Sequence, residues 1–161
     1  MTAIEIGSPS GDDWSWITEH HVETAWDSLT SNLQQMVSKQ VVQECVTDQM
    51  TKIREKHGVT NQVFLAHDGE GQRVGFIWVD QVRSAFTGTL HAYILEIFVA
   101  DEYRGQGIGS LLMAQAETWA REHQLARIGL SVATHNAVAI ELYEKLGYET
   151  ETLRMFKNLA S

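Results

Sequence analysis

The residues best suited to chemistry begin with a glycine-rich turn, Arg104–Gly109 (RGQGIG). The turn follows an apolar run, Ala92–Val99, and precedes apolar residues at helical spacing. Glycines let backbone N–H groups approach a ligand without an intervening Cβ. The first turn of a helix directs free N–H groups and a positive dipole end into the same space. With the charge of Arg104 beside it, this arrangement predicts a site for phosphate groups.

Two common phosphate-binding motifs do not fit this turn. A P-loop ends in Gly-Lys-Ser/Thr, whereas this turn ends in Gly109-Ser110 and has no lysine. The dinucleotide fingerprint G-x-G-x-x-G needs its third glycine where Ser110 stands, and it belongs after the first strand of a chain. A nucleotide-binding regulator that uses the turn for ATP or NAD stays open as an alternative.

A second group of candidates contains Glu96, Asn136 and Tyr143. Glu96 is the one charge in its apolar run, so its carboxylate must be paired, hydrated or directed at a cavity. Such a carboxylate can deprotonate an amine, and the structural alternative is an ion pair with Arg or Lys. Asn136 and Tyr143 are seven residues apart, close to two helical turns, so both can face one ligand. Their structural alternatives are a helix cap and a core aromatic residue. His91 and His135 are further candidate bases.

The turn and the segment that begins at Asn136 resemble the motifs of a known family. The turn is similar to the diphosphate-binding signature Arg/Gln-x-x-Gly-x-Gly/Ala of the GNAT superfamily of acyl-CoA-dependent N-acetyltransferases. Asn136–Tyr148 matches the family segment Asn-x-x-Ala-x-x-Leu-Tyr-x-x-x-Gly-Phe/Tyr at every one of those positions. Together the two motifs extend over residues 90–148, more than a third of the chain.

The resemblance implies acetyl-CoA as co-substrate and no metal. It places the diphosphate of acetyl-CoA over Arg104–Ser110. The arm of acetyl-CoA that carries the acyl group, here called the acyl arm, is placed along the backbone of Phe98, Val99 and Ala100. One departure concerns Asp101, which stands where many members of the family have proline. The cofactor-binding residues expected from the resemblance are Ile97, Phe98, Val99, Arg104, Gly105, Gln106, Gly107, Ile108, Gly109, Ser110, Asn136 and Tyr143.

The same resemblance implies that acetyl passes to a primary amine by direct attack in a ternary complex. Glu96 is then the base, Tyr143 the acid that protonates the leaving thiolate, and the Val99 N–H the group that polarises the thioester carbonyl. The formal net charge of −9 favours a small cationic acceptor such as an aminoglycoside or polyamine. A protein N-terminus or lysine is an alternative acceptor. A non-catalytic acyl-CoA sensor on the same fold is an alternative function.

Composition restricts the other possibilities. The chain has 161 residues, of which 43 % are hydrophobic and 20 % charged, as is usual for a globular protein. Its single cysteine, Cys45, excludes an internal disulfide, and its place on a predicted helical stripe indicates core packing. The acidic balance argues against nucleic acid. Without a signal peptide or a membrane-spanning run, we expect a cytoplasmic protein. A homodimer stays open.

The pattern of apolar residues predicts one domain, residues 1–161, with an α/β GNAT fold. We expect a mixed, mostly antiparallel twisted sheet, with a central parallel strand pair that splays apart and helices on its flanks. The predicted strands are 4–7, 63–67, 73–82, 90–99, 127–132 and a last strand or strand pair within 148–157. The first predicted helix is capped by Asp12 or Asp13. The other predicted helices span 31–55, 106–123 and 137–146. The last of these is capped by Asn136 and ended by Gly147.

Overall fold

The structure is a computed structural model that describes residues 3–159. Within this range the strands are β1 (Glu5–Gly7), β2 (Asn61–His67), β3 (Arg73–Arg83), β4 (Leu90–Val99) and β5 (Ile128–Leu130). The helices are α1 (Asp13–Ser28), α2 (Ser31–Met36), α3 (Lys39–Arg54), α4 (Ile108–Glu122) and α5 (Ala137–Lys145). A single 3-10 turn, Asp101–Tyr103, lies between β4 and α4.

The strands of the described range form one mixed sheet in the order β1-β2-β3-β4-β5. Neighbouring strands are antiparallel except β4 and β5, which are parallel. Side chains of β3 alternate between two cores: Ile77 and Val79 pack on the α4 side, whereas Phe76 and Trp78 pack with α1 and α3. The predicted α/β fold, a mostly antiparallel sheet flanked by helices, is therefore confirmed.

Strand β4 contains an irregularity that decides which residues face each core. Trp78 pairs with Glu96 but the next residue of β3 pairs with Ile94, so one residue of β4 is left without a partner, as in a β-bulge. As a result Ile94 and Ile97, three residues apart, both pack on the α4 side. Glu96 is consequently directed to the α1 side, where it meets a side chain of that helix.

The parallel pair β4–β5 is short, and the two strands part early. Only Ala92–Ile94 of β4 pair with Ile128–Leu130 of β5, although β4 continues to Val99 beside β3. The sheet of the described residues ends at β5, so the pair lies at its end rather than at its centre. β5 is also shorter than the predicted strand 127–132, because pairing stops where the strands part.

The segment predicted as a last strand or strand pair, 148–157, has no regular secondary structure, and this prediction is wrong. Its Thr and Tyr residues suit a strand, but strand preference depends on packing against a neighbouring strand. Leu153, Met155 and Phe156 instead have exposed side chains. Glu151 forms an ion pair with Arg127, which precedes β5, so the segment has a polar attachment to the sheet edge.

The predicted helix 31–55 is two helices, α2 and α3, that break at Val37–Ser38. The Ser38 hydroxyl accepts a hydrogen bond from the Val41 N–H at 3.3 Å and begins α3 as its N-cap. The predicted core position of Cys45 is wrong, because the residue is exposed. α3 buries Val46 and Met50, and Cys45, one residue from Val46, lies about 100° away around the helix.

Gly75 on β3 pairs with Val99 on β4, and it offers a test of the packing between these strands. A Cβ added at Gly75 would lie 2.5 Å from the Phe98 carbonyl oxygen. This oxygen belongs to the backbone, so it cannot move away by a side-chain rotation. We therefore expect Gly75→Ala to lower the free energy of unfolding by about 1–3 kcal/mol, measured by urea denaturation. Gly7→Ala on β1 is the control, because a Cβ there meets nothing within 4 Å. Equal stability of the two variants would contradict the close approach.

Candidate active site

The glycine-rich turn ends where α4 begins, and its backbone forms an open cradle. Gly105 and Gly107 have φ angles of 73° and 83°, which favour glycine, and Gly107 is the N-cap of α4. The first backbone hydrogen bond of the helix runs from the Leu111 N–H to the Gly107 oxygen at 3.1 Å. The N–H groups of Ile108, Gly109 and Ser110 therefore have no acceptor within the helix.

The space in front of this cradle is open. A Cβ added at Gly105 or at Gly107 would meet no described atom within 4 Å. At Gly109 an added Cβ would instead lie 3.3 Å from Leu142 Cδ2, so that glycine allows packing between α4 and α5. Ile108 is buried in the core and can offer a ligand only its backbone. The Gln106 side chain donates to the Glu102 carbonyl at 3.0 Å.

The Arg104 guanidinium contacts the end of β4. Its Nε donates to the Val99 carbonyl at 3.0 Å, and its Nη2 lies 2.8 Å from Asp101 Oδ1. Asp101, the departure from the family pattern, thus begins the 3-10 turn and partly neutralises the arginine. Because the Arg104 side chain is still 59 % exposed, its guanidinium remains accessible to an anion over the turn.

A contact that was not among the predicted site features also holds the turn in place. The Tyr103 hydroxyl donates to Asp68 Oδ2 at 2.7 Å, which joins the turn to the β2–β3 hairpin. This hydrogen bond and those from the backbone N–H groups of Gln72, Glu70 and Gly71 lower the pKa of Asp68. The carboxylate is therefore ionised at neutral pH and keeps Tyr103 in place.

Where β4 and β5 part, backbone groups of β4 face an opening. The Ala100 N–H donates to the Val74 carbonyl on β3 at 2.9 Å. Since backbone groups alternate sides along a strand, Val99 directs its N–H to the opposite side, where β5 no longer pairs. The Ile97 N–H lies on that same side and donates to Glu96 Oε1 at 3.1 Å.

Aromatic rings form a wall beside the end of β4. The Phe98 ring centroid lies 4.5 Å from that of His20 and 5.7 Å from that of Trp16, both on α1. Phe76 on β3 completes the group at 5.8 Å from Phe98. By the same alternation the Phe98 N–H and C=O face β3, where Phe98 pairs with Phe76. The predicted backbone contact of Phe98 with the cofactor is therefore not available at the parting.

Glu96 is paired with His21, which was not among the predicted site residues. His21 Nδ1 lies 2.7 Å from Glu96 Oε2, and their side chains are only 10 % and 15 % exposed. The predicted structural alternative, an ion pair with Arg or Lys, is not what the described residues form. His21 is four residues after Ile17 on the buried face of α1. A histidine on the buried face of α1 needs a polar partner, and Glu96 is the one charge in the apolar run of β4. These two features together could have predicted the pair.

Tyr143 lies on α5 and is nearly buried, with 9 % of its surface exposed. Burial and, next, the negative charge of Glu96 raise the pKa of Tyr143 to about 12. Glu96 and Tyr143, which are far apart in sequence, are therefore close enough to interact. The Tyr143 hydroxyl keeps its proton at neutral pH and has no hydrogen-bond partner among the described residues, so it is free to donate to a ligand.

The motif around Tyr143 has a clear local role. Asn136 Oδ1 accepts a hydrogen bond from the Ala139 N–H at 3.2 Å, so Asn136 caps α5 as predicted. Gly147, with φ at 87°, ends the helix in a Schellman motif, in which the Tyr148 N–H donates to the Tyr143 carbonyl at 2.9 Å. Asn136 is exposed, and its amide N–H groups contact no other described residue.

The two histidines predicted as further candidate bases lie apart from this pair. His91 is five residues before Glu96 on β4, about 16 Å along a strand. His135 Nε2 lies 2.9 Å from the Asp27 carbonyl, which joins the loop before α5 to the end of α1. Neither residue therefore contacts Glu96.

Within residues 3–159, no helix is long and apolar enough to cross a membrane. No cluster of three or more His, Cys, Asp or Glu side chains in the same range is arranged to hold a metal ion.

Comparison with known proteins identifies relatives. The uncharacterized N-acetyltransferase YdgE of Bacillus subtilis is 32 % identical over 94 residues, 56 % of this chain and 56 % of the relative. Streptothricin acetyltransferase of Streptomyces lavendulae is 35 % identical over 94 residues, 58 % of this chain and 48 % of the relative. The matched part of the chain thus spans about half the length of these curated relatives.

A solved structure agrees in fold. The aminoglycoside antibiotic 6'-N-acetyltransferase AAC(6')-Ih of Acinetobacter baumannii superimposes with a TM-score of 0.66 over 99 % of this chain and 100 % of that chain, at 19 % identity. The sequence model of the acetyltransferase (GNAT) family matches residues 25–148. Because this match covers more than half of the sequence, the chain belongs to the acetyltransferase (GNAT) family.

Proposed function

We propose that this protein transfers acetyl from acetyl-CoA to a primary amine by direct attack in a ternary complex. The observation that carries the proposal is the parting of β4 and β5 beside the glycine turn. The Glu96 carboxylate is held by the backbone there, and its charge acts on the protonated Tyr143 of α5. Family membership supports the same reaction.

Each of these groups has a role in the proposed mechanism. Glu96 takes one proton from the ammonium form of the acceptor, directly or through water, so that its nitrogen can attack the thioester carbonyl. The Val99 N–H stabilises the developing negative charge on the carbonyl oxygen. As the C–N bond forms and the C–S bond breaks, Tyr143 gives its proton to the departing thiolate. The second proton of the nitrogen restores the Tyr143 hydroxyl as the amide forms.

The residues of the turn are proposed to hold the diphosphate of the co-substrate. The free N–H groups at the start of α4 and the exposed guanidinium of Arg104 supply its hydrogen bonds and charge. Asn136 supplies its free amide N–H groups to the acyl arm. Ile97 and Val99 present backbone rather than side-chain atoms, as the alternation along β4 requires.

Gly107 allows a sharp test of the turn. Gly107→Val directs a branched side chain into the open space in front of the turn, so we expect the Kd for acetyl-CoA to rise at least tenfold, about 1.4 kcal/mol. The matched control is Gly88→Val in the loop between β3 and β4, because Gly88 also has a positive φ, 69°, and similarly open surroundings. Both variants carry the same backbone strain, and isothermal titration calorimetry compares their affinities. Unchanged affinity in folded Gly107→Val would remove the turn from the site.

For the acceptor we propose a small cationic amine. The net charge of −9 attracts cations, and relatives and structural neighbours include proteins named for acetylating streptothricin and aminoglycosides. A panel of polyamines, aminoglycosides and lysine-containing or N-terminal peptides, assayed by release of the CoA thiol, tests this proposal. Faster turnover of peptides than of small amines would favour a protein acceptor.

A thermal-shift comparison separates this function from nucleotide binding. A ligand that binds the folded state raises the melting temperature in proportion to the logarithm of its concentration over Kd. We expect a larger shift with CoA and acetyl-CoA than with ATP or NAD at equal concentration. A larger shift with ATP or NAD would contradict the proposal.

A further inference from the structure

The contact between His21 and Glu96 extends the proposed site to α1. His21 is 8 % exposed, and its ring packs edge-on against Trp78 with centroids 5.9 Å apart. The contact from His21 Nδ1 to Glu96 Oε2, at 2.7 Å, is as short as a charge-assisted hydrogen bond. A buried imidazole held by packing therefore meets the proposed base at one defined oxygen.

Glu96 is held at both of its oxygens. Oε2 contacts His21, and Oε1 accepts from the Ile97 N–H at 3.1 Å. Ile97 directs that N–H to the side where β4 and β5 part, so the carboxylate lies at the edge of the opening. His21 from α1 contacts the carboxylate, the charge of the carboxylate acts on Tyr143 from α5, and the residue opposite on β3 is Trp78.

The ionisation state of Glu96 determines which of the two residues donates the hydrogen bond between them. An ionised carboxylate can only accept hydrogen bonds, so a base-ready Glu96 requires a proton on His21 Nδ1. A protonated Glu96 would instead donate to Nδ1, and the neutral ring would then carry its proton on Nε2. The tautomer of His21 consequently reports whether Glu96 is ready to act as the base.

We propose that His21 is a positioning residue for the acetyl transfer. Its Nδ1–H fixes one oxygen of the Glu96 carboxylate at the parting of β4 and β5, where the carboxylate is proposed to accept the proton of the amine. This inference rests on the proposed function, because it assigns His21 to the same reaction.

The kinetic test compares two variants of His21. His21→Phe keeps a ring against Trp78 but removes the donor, so we expect kcat/KM to fall about 10- to 100-fold at neutral pH. The loss should lie in kcat, with little change in the KM for acetyl-CoA, because His21 is proposed to act on the group that accepts the proton of the amine. His21→Asn supplies an amide N–H near the position of Nδ1 and should recover much of the loss. The Kd for acetyl-CoA should be unchanged in both.

A ¹⁵N NMR measurement of the His21 ring tests the contact without any acceptor. We expect a proton on Nδ1 in the wild-type protein at neutral pH, whereas a ring that carries its only proton on Nε2 would overturn the inference. Wild-type kcat in folded His21→Phe would also overturn it while leaving the proposed function intact. If the wild-type protein acetylates no amine, the proposed function fails, and His21 then has no reaction to assist.

Discussion

Glu96→Gln is expected to lower kcat/KM for acetyl transfer by about 10²–10⁴-fold, the usual range for loss of a general base. Gln has nearly the same shape and can still accept a hydrogen bond from His21, so the variant removes mainly the ability to take a proton. The acidic limb of the pH profile should flatten as well, because in the wild type activity falls when the carboxylate is protonated. Initial rates across a pH series measure both effects.

Two controls make this result specific to Glu96. Acetyl-CoA affinity should hardly change in Glu96→Gln, since the carboxylate is proposed to act on the amine. Glu23→Gln removes another glutamate with a basic partner, because Glu23 pairs with Lys39 at 2.7 Å on the outer side of α1, and it should keep wild-type kinetics. If activity and the acidic limb survive intact in Glu96→Gln, the base is another group and Glu96 only stabilises the fold.

Tyr143→Phe is expected to lower kcat on the order of 10²-fold, with little change in acetyl-CoA binding. The loss is moderate because a thiol is already a tolerable leaving group, and it should shrink when the departing thiol is made more acidic. Burial and the Glu96 charge hold the pKa of Tyr143 near 12, so the hydroxyl loses its proton only in strongly basic solution. The pH profile of Tyr143→Phe should therefore keep its wild-type shape around neutral pH.

Tyr148→Phe is the matched control for this prediction. Its ring lies 6.1 Å from that of Tyr143, and its hydroxyl donates to Glu117 at 3.4 Å rather than toward the proposed thioester. Removal of that hydroxyl should leave kcat near the wild-type value. Equal kcat in wild type and folded Tyr143→Phe, with chemistry shown to limit the rate, would leave Tyr143 as a packing residue.

Local sequence signals were sufficient for the parts of the site made by one segment. The apolar run that ends at Val99 and the glycines at 105 and 107 predicted a strand, a turn and a helix start, because positive φ angles and a free helix N-terminus depend on neighbouring residues. Asn136 as a cap and Gly147 as a helix end were predictable for the same reason.

Contacts between distant segments were not predictable in this way. The pair between His21 and Glu96 joins residues 75 positions apart, and it depends on the bulge that directs Glu96 toward α1. The pattern of residues 148–157 predicted a strand, yet strand formation depends on an available neighbour as well as on local preference. The break before α3 required recognition of Ser38 as an N-cap, a signal that the continuous apolar stripe obscured.

The most direct test of the account follows an acetyl group labelled in acetyl-CoA. The protein is first incubated with labelled acetyl-CoA alone and then with the best amine of the acceptor panel, and the label is located by mass spectrometry. We predict no label on the protein in the first step, and in the second a labelled amide with one CoA thiol released per acetyl transferred. Label that stays on bound CoA with every amine tested, as a non-catalytic sensor would give, would contradict the account.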